Sequence, residues 1–81
     1  MRTTQQDIRN WLLSRPEGAT HMIVAVDTFD HGDYPVYVKP EQSAKAEVER
    51  LKSQSMTRVM EVYNYALPID SQLAERRAWH I

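Results

Sequence analysis

The chain predicts an α/β (α+β) fold, with elements in the order α-β-β-α-β-α around a three-stranded antiparallel sheet whose first strand is central. Three observations carry that reading. The run Met22 to Val26 is apolar on both alternating faces, as a strand covered on both sides must be. Asp30, His31, Gly32 and Asp33 then supply turn chemistry, because Asp side chains cap local amides and Gly tolerates positive φ. Around this hairpin lie stretches in which apolar residues recur three and four apart among charged ones, the period of a surface helix.

The first helix is expected over residues 4–15. Thr3 or Thr4 can serve as N-cap, with Gln6 or Asp7 three positions on to complete a capping box. Ile8, Trp11, Leu12 and Arg15 share one face, and Pro16 and Gly18 end the helix. After the hairpin turn, Tyr34 to Val38 forms the return strand. Pro35 donates no ladder hydrogen bond, which places this strand at the sheet edge or the proline at its start. Pro40 suits the first turn of a second helix, supported by pairs such as Glu41 with Lys45, whose thin apolar stripe is Ala44, Val48 and Leu51.

The segment Ser55 to Ala66 fits both periods but is rich in Val and Tyr, so a strand is expected. Alternation would set Met56, Arg58, Met60, Val62 and Asn64 on one face and Thr57, Val59, Glu61, Tyr63 and Tyr65 on the other. Pro68 breaks the strand. Asp70 or Ser71 would cap a short last helix with Leu73, Ala74 and Arg77 inward, and Trp79 and Ile81 close the chain as apolar surface. Three short helices do not easily cover both sheet faces, so some surface is expected to be left for a partner, with a homodimer the leading expectation.

Composition bounds the function. Eighty-one residues make one domain, residues 1–81, with a small core. Cysteine is absent, which removes disulfides, thiolate metal sites and a cysteine nucleophile. Ten Lys and Arg balance eleven Asp and Glu with no basic stripe, so direct DNA or RNA binding is not favoured. No apolar run reaches the roughly 20 residues of a membrane span and no signal peptide is evident, so a cytoplasmic protein without membrane contact is expected.

Asp27, Asp30 and Asp33 with His31 are the residue types that bind hard or borderline divalent ions, and they could support metal-dependent phosphoester hydrolysis. Their spacing matches no calcium loop or zinc signature, and the plainer reading is that they cap the turn. With two isolated glycines there is no phosphate-cradling loop and no Ser-centred elbow, so no catalytic residue, metal or cofactor is assigned. The residues left as candidates for ligand or partner contact are Phe29, Asp30, Asp33, Tyr34, Tyr37, Arg58, Tyr63, Arg77 and Trp79. Their aromatic rings could stack on a nucleobase or anchor a protein interface, with the arginines available for phosphates.

The segments Gly18 to Val24, Asp27 to Asp30 and Asp33 to Val38 resemble small uncharacterised proteins encoded by bacteriophages. The later Arg58 to Tyr63 and Arg77 to His80 resemble the same group, so the similarity spans most of the chain. The resemblance implies a setting and no catalytic residues. In that setting the expected function is non-catalytic: neutralising a host anti-phage defence component by stoichiometric binding, either of a defence protein or of a nucleotide messenger, inside the infected bacterium. A metal-dependent hydrolase built on the acidic hairpin is the alternative.

Overall fold

The computed structural model describes residues 3–81 and bears out the predicted order and topology. Helix α1 spans Gln5–Leu13, strands β1 and β2 span His21–Asp27 and Gly32–Val38, α2 spans Ala44–Ser53, β3 spans Thr57–Asn64 and α3 spans Ile69–Leu73. The sheet runs β2-β1-β3 and both pairings are antiparallel. The central position of β1 follows from its composition, since Met22, Ile23, Val24 and Ala25 are all buried.

Two apolar clusters flank the sheet. On one face α2 brings Ala44, Val48 and Leu51 onto Ile23, Val38, Val59 and Val62. On the other, Leu12 of α1 and Leu73 of α3 pack with Met22, Val24, Tyr63 and Ala78. The three helices therefore contribute to both clusters, α2 on one face and α1 with α3 on the other. Gln5 ties α1 to α3 by donating from Nε2 to the Leu73 carbonyl.

Several boundaries differ from the sequence reading for local reasons. The capping box at Thr4 and Asp7 forms as expected, but α1 stops at Leu13. Arg15 lies beyond it, donating to the Ala19 carbonyl at 2.9 Å and sitting 4.4 Å over the Tyr65 ring. Gly18, at φ +82°, belongs to the following turn. Pro40 does not open α2. The side chain of Gln42 accepts from Lys39 N–H and closes a turn there, so the helix waits for Ser43, whose hydroxyl accepts from Ala46 N–H. Glu41 thus falls outside the helix, and the pair that forms is Glu47 with Arg50, at 2.8 Å. Helix α3 has Pro68 as its N-cap and no side-chain cap, and its inward residues are Gln72 and Leu73, with Ala74 and Arg77 exposed.

The face assignment in β3 changes because of a bulge. Val24 faces Glu61 and Ala25 faces Val59, which leaves Met60 as an extra residue. The alternation slips by one there, so Val59 and Val62 share the α2 side and Tyr63 turns to the other. Met56 is not in the strand: it precedes it at φ 62°, an uncommon left-handed position for a residue with a side chain.

Both sheet edges are partly obstructed to a further strand. Thr28 N–H donates to the Met56 carbonyl and Tyr65 N–H to the Thr20 carbonyl, so even-numbered β1 residues bond β3 and odd-numbered ones bond β2. Pro35, opposite Val24, therefore turns its ring nitrogen outward and interrupts the free edge of β2. On the β3 side the C-terminal segment pairs with Val62, which donates to the Ala78 carbonyl and accepts from His80 N–H, each at 3.0 Å.

His21 opens β1 with Nδ1 2.9 Å from the Thr20 hydroxyl and Nε2 buried without a hydrogen-bond partner among the described residues. Burial lowers its pKa below the usual 6.5, so the unfolded chain binds this proton more readily than the folded one. The stability His21 gains by staying neutral is complete above pH 6.5 and is lost as pH falls through its lower folded value. Urea midpoints are expected to fall between pH 7 and pH 5 in the wild type, and less steeply in His21→Gln; parallel slopes would show that other groups set the dependence.

Candidate functional site

The hairpin joining β1 and β2 is the most exposed ordered feature built from candidate residues. Its acids are used locally. Asp27 Oδ1 accepts from Phe29 N–H and Asp30 Oδ1 accepts from Gly32 N–H, both at 2.8 Å, while His31 N–H donates to the Asp27 carbonyl. His31 takes the left-handed conformation at φ 60° that this tight reversal requires. Held by these bonds, Phe29 projects with 76 % of its surface exposed. Beside it, the Thr28–Met56 hydrogen bond brings the α2–β3 loop against the hairpin, where Met56 is 56 % exposed. The sequence reading missed Met56, and its left-handed backbone leaves no mark in residue type or spacing.

The three aspartates do not converge. Asp33 stands opposite Val26 and shares its face, whereas Asp27, next along β1, points to the other face of the sheet. Among the described residues no three His, Asp or Glu side chains are assembled where they could hold a metal ion.

Asp33 instead borders an open groove of about 850 Å³ on the α1 and α3 side of the sheet. Val24, Ile8 and Met60 give it apolar lining, and Arg76, Arg77 and Glu61 bring charge to it. Arg58, opposite Val26, is on the same face. Two of the charged residues have structural duties. Arg77 donates from Nε to the Met60 carbonyl at 2.8 Å and from Nη2 to the Val59 carbonyl at 3.4 Å, which satisfies the backbone at the bulge. Glu61 accepts from Ala78 N–H at 3.2 Å and helps fix the C-terminal segment.

The tyrosines are committed to the fold. Tyr63 is 2 % exposed, and burial together with the nearby Glu61 charge pushes its pKa well up. Tyr37 donates its hydroxyl to the Trp11 carbonyl at 2.7 Å, with its pKa raised by burial. Tyr65 donates to the Leu12 carbonyl at 3.0 Å and is pushed up to about 12, again chiefly by burial. Tyr34 is half-buried on the α2 side, opposite Ala25. The candidates thus separate into a hairpin group of Phe29, Asp30 and Asp33 and an edge group of Arg58, Arg77 and Trp79, with Tyr34 and Tyr37 half-buried against the sheet and Tyr63 in the packed interior.

Among the described residues no helix is long and apolar enough to cross a membrane. Comparisons of the chain with protein-family models, with curated proteins and with solved structures find no match.

Proposed function

We propose that this chain is a non-catalytic protein that neutralises a bacterial anti-phage defence protein by stoichiometric contact, with the β1–β2 hairpin as the contact. The observation that carries the reading is Phe29, a large apolar side chain left 76 % exposed on a turn whose acids already hold it in shape. A protruding, preordered aromatic loses little freedom on binding and suits a pocket on a partner protein. Met56, exposed on the loop bonded to Thr28, offers a second apolar side chain, and the acids of the turn suit a pocket with a basic rim. The phage setting rests on the resemblance of the hairpin segments to bacteriophage-encoded proteins. Pairing of sheet edges into a homodimer would have to accommodate Pro35 on one edge and the C-terminal segment bonded to Val62 on the other.

The hydrolase alternative loses support because Asp27 and Asp33 face opposite sides of the sheet. The test is expression in a panel of bacterial strains, each protected from a phage by a single defence system. Wild-type chain is expected to restore plaque formation in at least one strain. Phe29→Ala is expected to abolish that rescue while changing folding stability by less than about 0.5 kcal/mol, as for other exposed surface positions. Rescue in no strain, or full rescue by Phe29→Ala, would overturn the proposal.

A further inference from the structure

The outer side of β3 gathers cations that form no ion pair among the described residues, although Glu61, bonded to Ala78 N–H, lies in the groove beside Arg76 and Arg77. The ion pairs among the described residues are Arg9 with Asp70, Arg50 with Glu47 and His80 with Glu75. Lys52, Arg58, Arg76 and Arg77 take part in none of them. Two of these charges share one aromatic ring, since Lys52 Nζ and Arg77 Cζ each lie 5.3 Å from the centroid of Trp79. Like charges drawn to one ring reinforce each other's potential, and an anion between them relieves the repulsion. Arg76, the adjacent residue, is exposed at the mouth of the groove.

Trp79 is also a fixed platform. The backbone on both sides of it is bonded to Val62, and Arg77 is anchored on the bulge carbonyls. Trp79 as a whole remains 38 % exposed. A held aromatic ring with cations over it that form no ion pair can recognise a base and its phosphates together, the base by stacking on the exposed part of the ring and the phosphates by charge-assisted hydrogen bonds. A nucleic-acid strand needs successive aromatic platforms along a basic track, and this edge offers one ring on a chain of balanced charge. We infer that the β3 edge binds a single nucleotide, its base against Trp79 and its phosphates held by Lys52, Arg76 and Arg77. This inference is independent of the hairpin contact.

The chain contains two tryptophans, so a ¹⁵N-labelled sample gives one indole signal from Trp79 and one from Trp11 as an internal control. Titration with ADP is expected to move the Trp79 signal saturably at millimolar concentration and to leave Trp11 in place. Adenosine, which lacks phosphate, and inorganic pyrophosphate, which lacks a base, should each bind at least about tenfold more weakly. Lys52→Glu and Arg76→Glu, both at exposed positions, should weaken ADP binding while the rest of the spectrum stays that of the folded protein. Phe29→Ala should leave the titration unchanged, which keeps this outcome separate from that of the hairpin. Absence of a saturable Trp79 shift overturns the inference. So does pyrophosphate binding as tightly as ADP, which would mark an anion contact without base recognition, or ADP binding that both charge reversals leave intact.

Discussion

Replacement of Tyr63 by alanine is expected to destabilise the fold by about 3–5 kcal/mol and to lower its urea midpoint sharply. Tyr63 is among the largest fully buried side chains, and from β3 it meets Leu12 of α1, Leu73 of α3, Met22 of β1 and Ala78. Removing a buried aromatic side chain costs about 3–5 kcal/mol through lost transfer energy and the cavity left behind. A domain of this length has only about 4–12 kcal/mol of total stability. The deletion therefore removes between about a quarter and all of the margin. Tyr63→Phe keeps the ring and gives up only the interaction of the hydroxyl with Glu61, so it is expected to stay within about 1.5 kcal/mol of wild type. Urea denaturation followed by circular dichroism separates the two. A Tyr63→Ala protein as stable as wild type would mean that the sheet and α2 hold together without this cluster.

Tyr63 also marks where sequence reading stops. Its strand was legible from the density of β-branched and aromatic residues, but its face was not. Alternation assumes an unbroken ladder, and the bulge at Met60 shifts the phase so that Val59 and Val62, three positions apart, share a side. The bulge is stabilised from outside the strand, by Arg77 donating to the Val59 and Met60 carbonyls from eighteen and seventeen residues away. Features encoded by a few adjacent residues were legible: the Thr4–Asp7 capping box, the central position of the doubly apolar β1, and the placing of Pro35 in an edge strand. Features that need long-range partners were not. Tyr37 is a plausible surface contact by type, yet its hydroxyl is taken by the Trp11 carbonyl across the structure. The candidate site followed the same division. The hairpin turn was legible because its Asp side chains bond their own backbone, while Lys52 and Trp79 meet only once α2 and the C-terminal segment both pack beside β3.

The second large effect is expected at Gln72, the only buried polar residue among the described ones. Its side-chain carbonyl accepts from Asn64 N–H at 2.7 Å, and its amide nitrogen donates toward the Asn64, Leu67 and Pro68 carbonyls at 2.9, 3.3 and 3.2 Å. One side chain thus satisfies the backbone where β3 ends and the chain turns into α3. Gln72→Leu preserves volume but strands these groups, at about 1–3 kcal/mol for each that water cannot reach. Because Leu67 and Pro68 are exposed, the cost should come mainly from Asn64 and total about 2–3 kcal/mol. Gln72→Glu sharpens the test. It keeps an acceptor for Asn64 N–H but sets a carboxylate against three carbonyl oxygens, which favours the protonated acid in the folded state and raises its pKa there. A group whose folded pKa is raised supports the fold below its unfolded pKa and loses that support as pH rises through the folded value. The gap between Gln72→Glu and wild type should therefore be wide at pH 7 and narrow toward pH 4, while the gap for Gln72→Leu should hardly change with pH. Urea midpoints across that range read both differences directly. A gap for Gln72→Glu that does not respond to pH would mean that this corner opens enough to hydrate the carboxylate, and that the end of β3 is held by the packing of Leu73 rather than by the amide of Gln72.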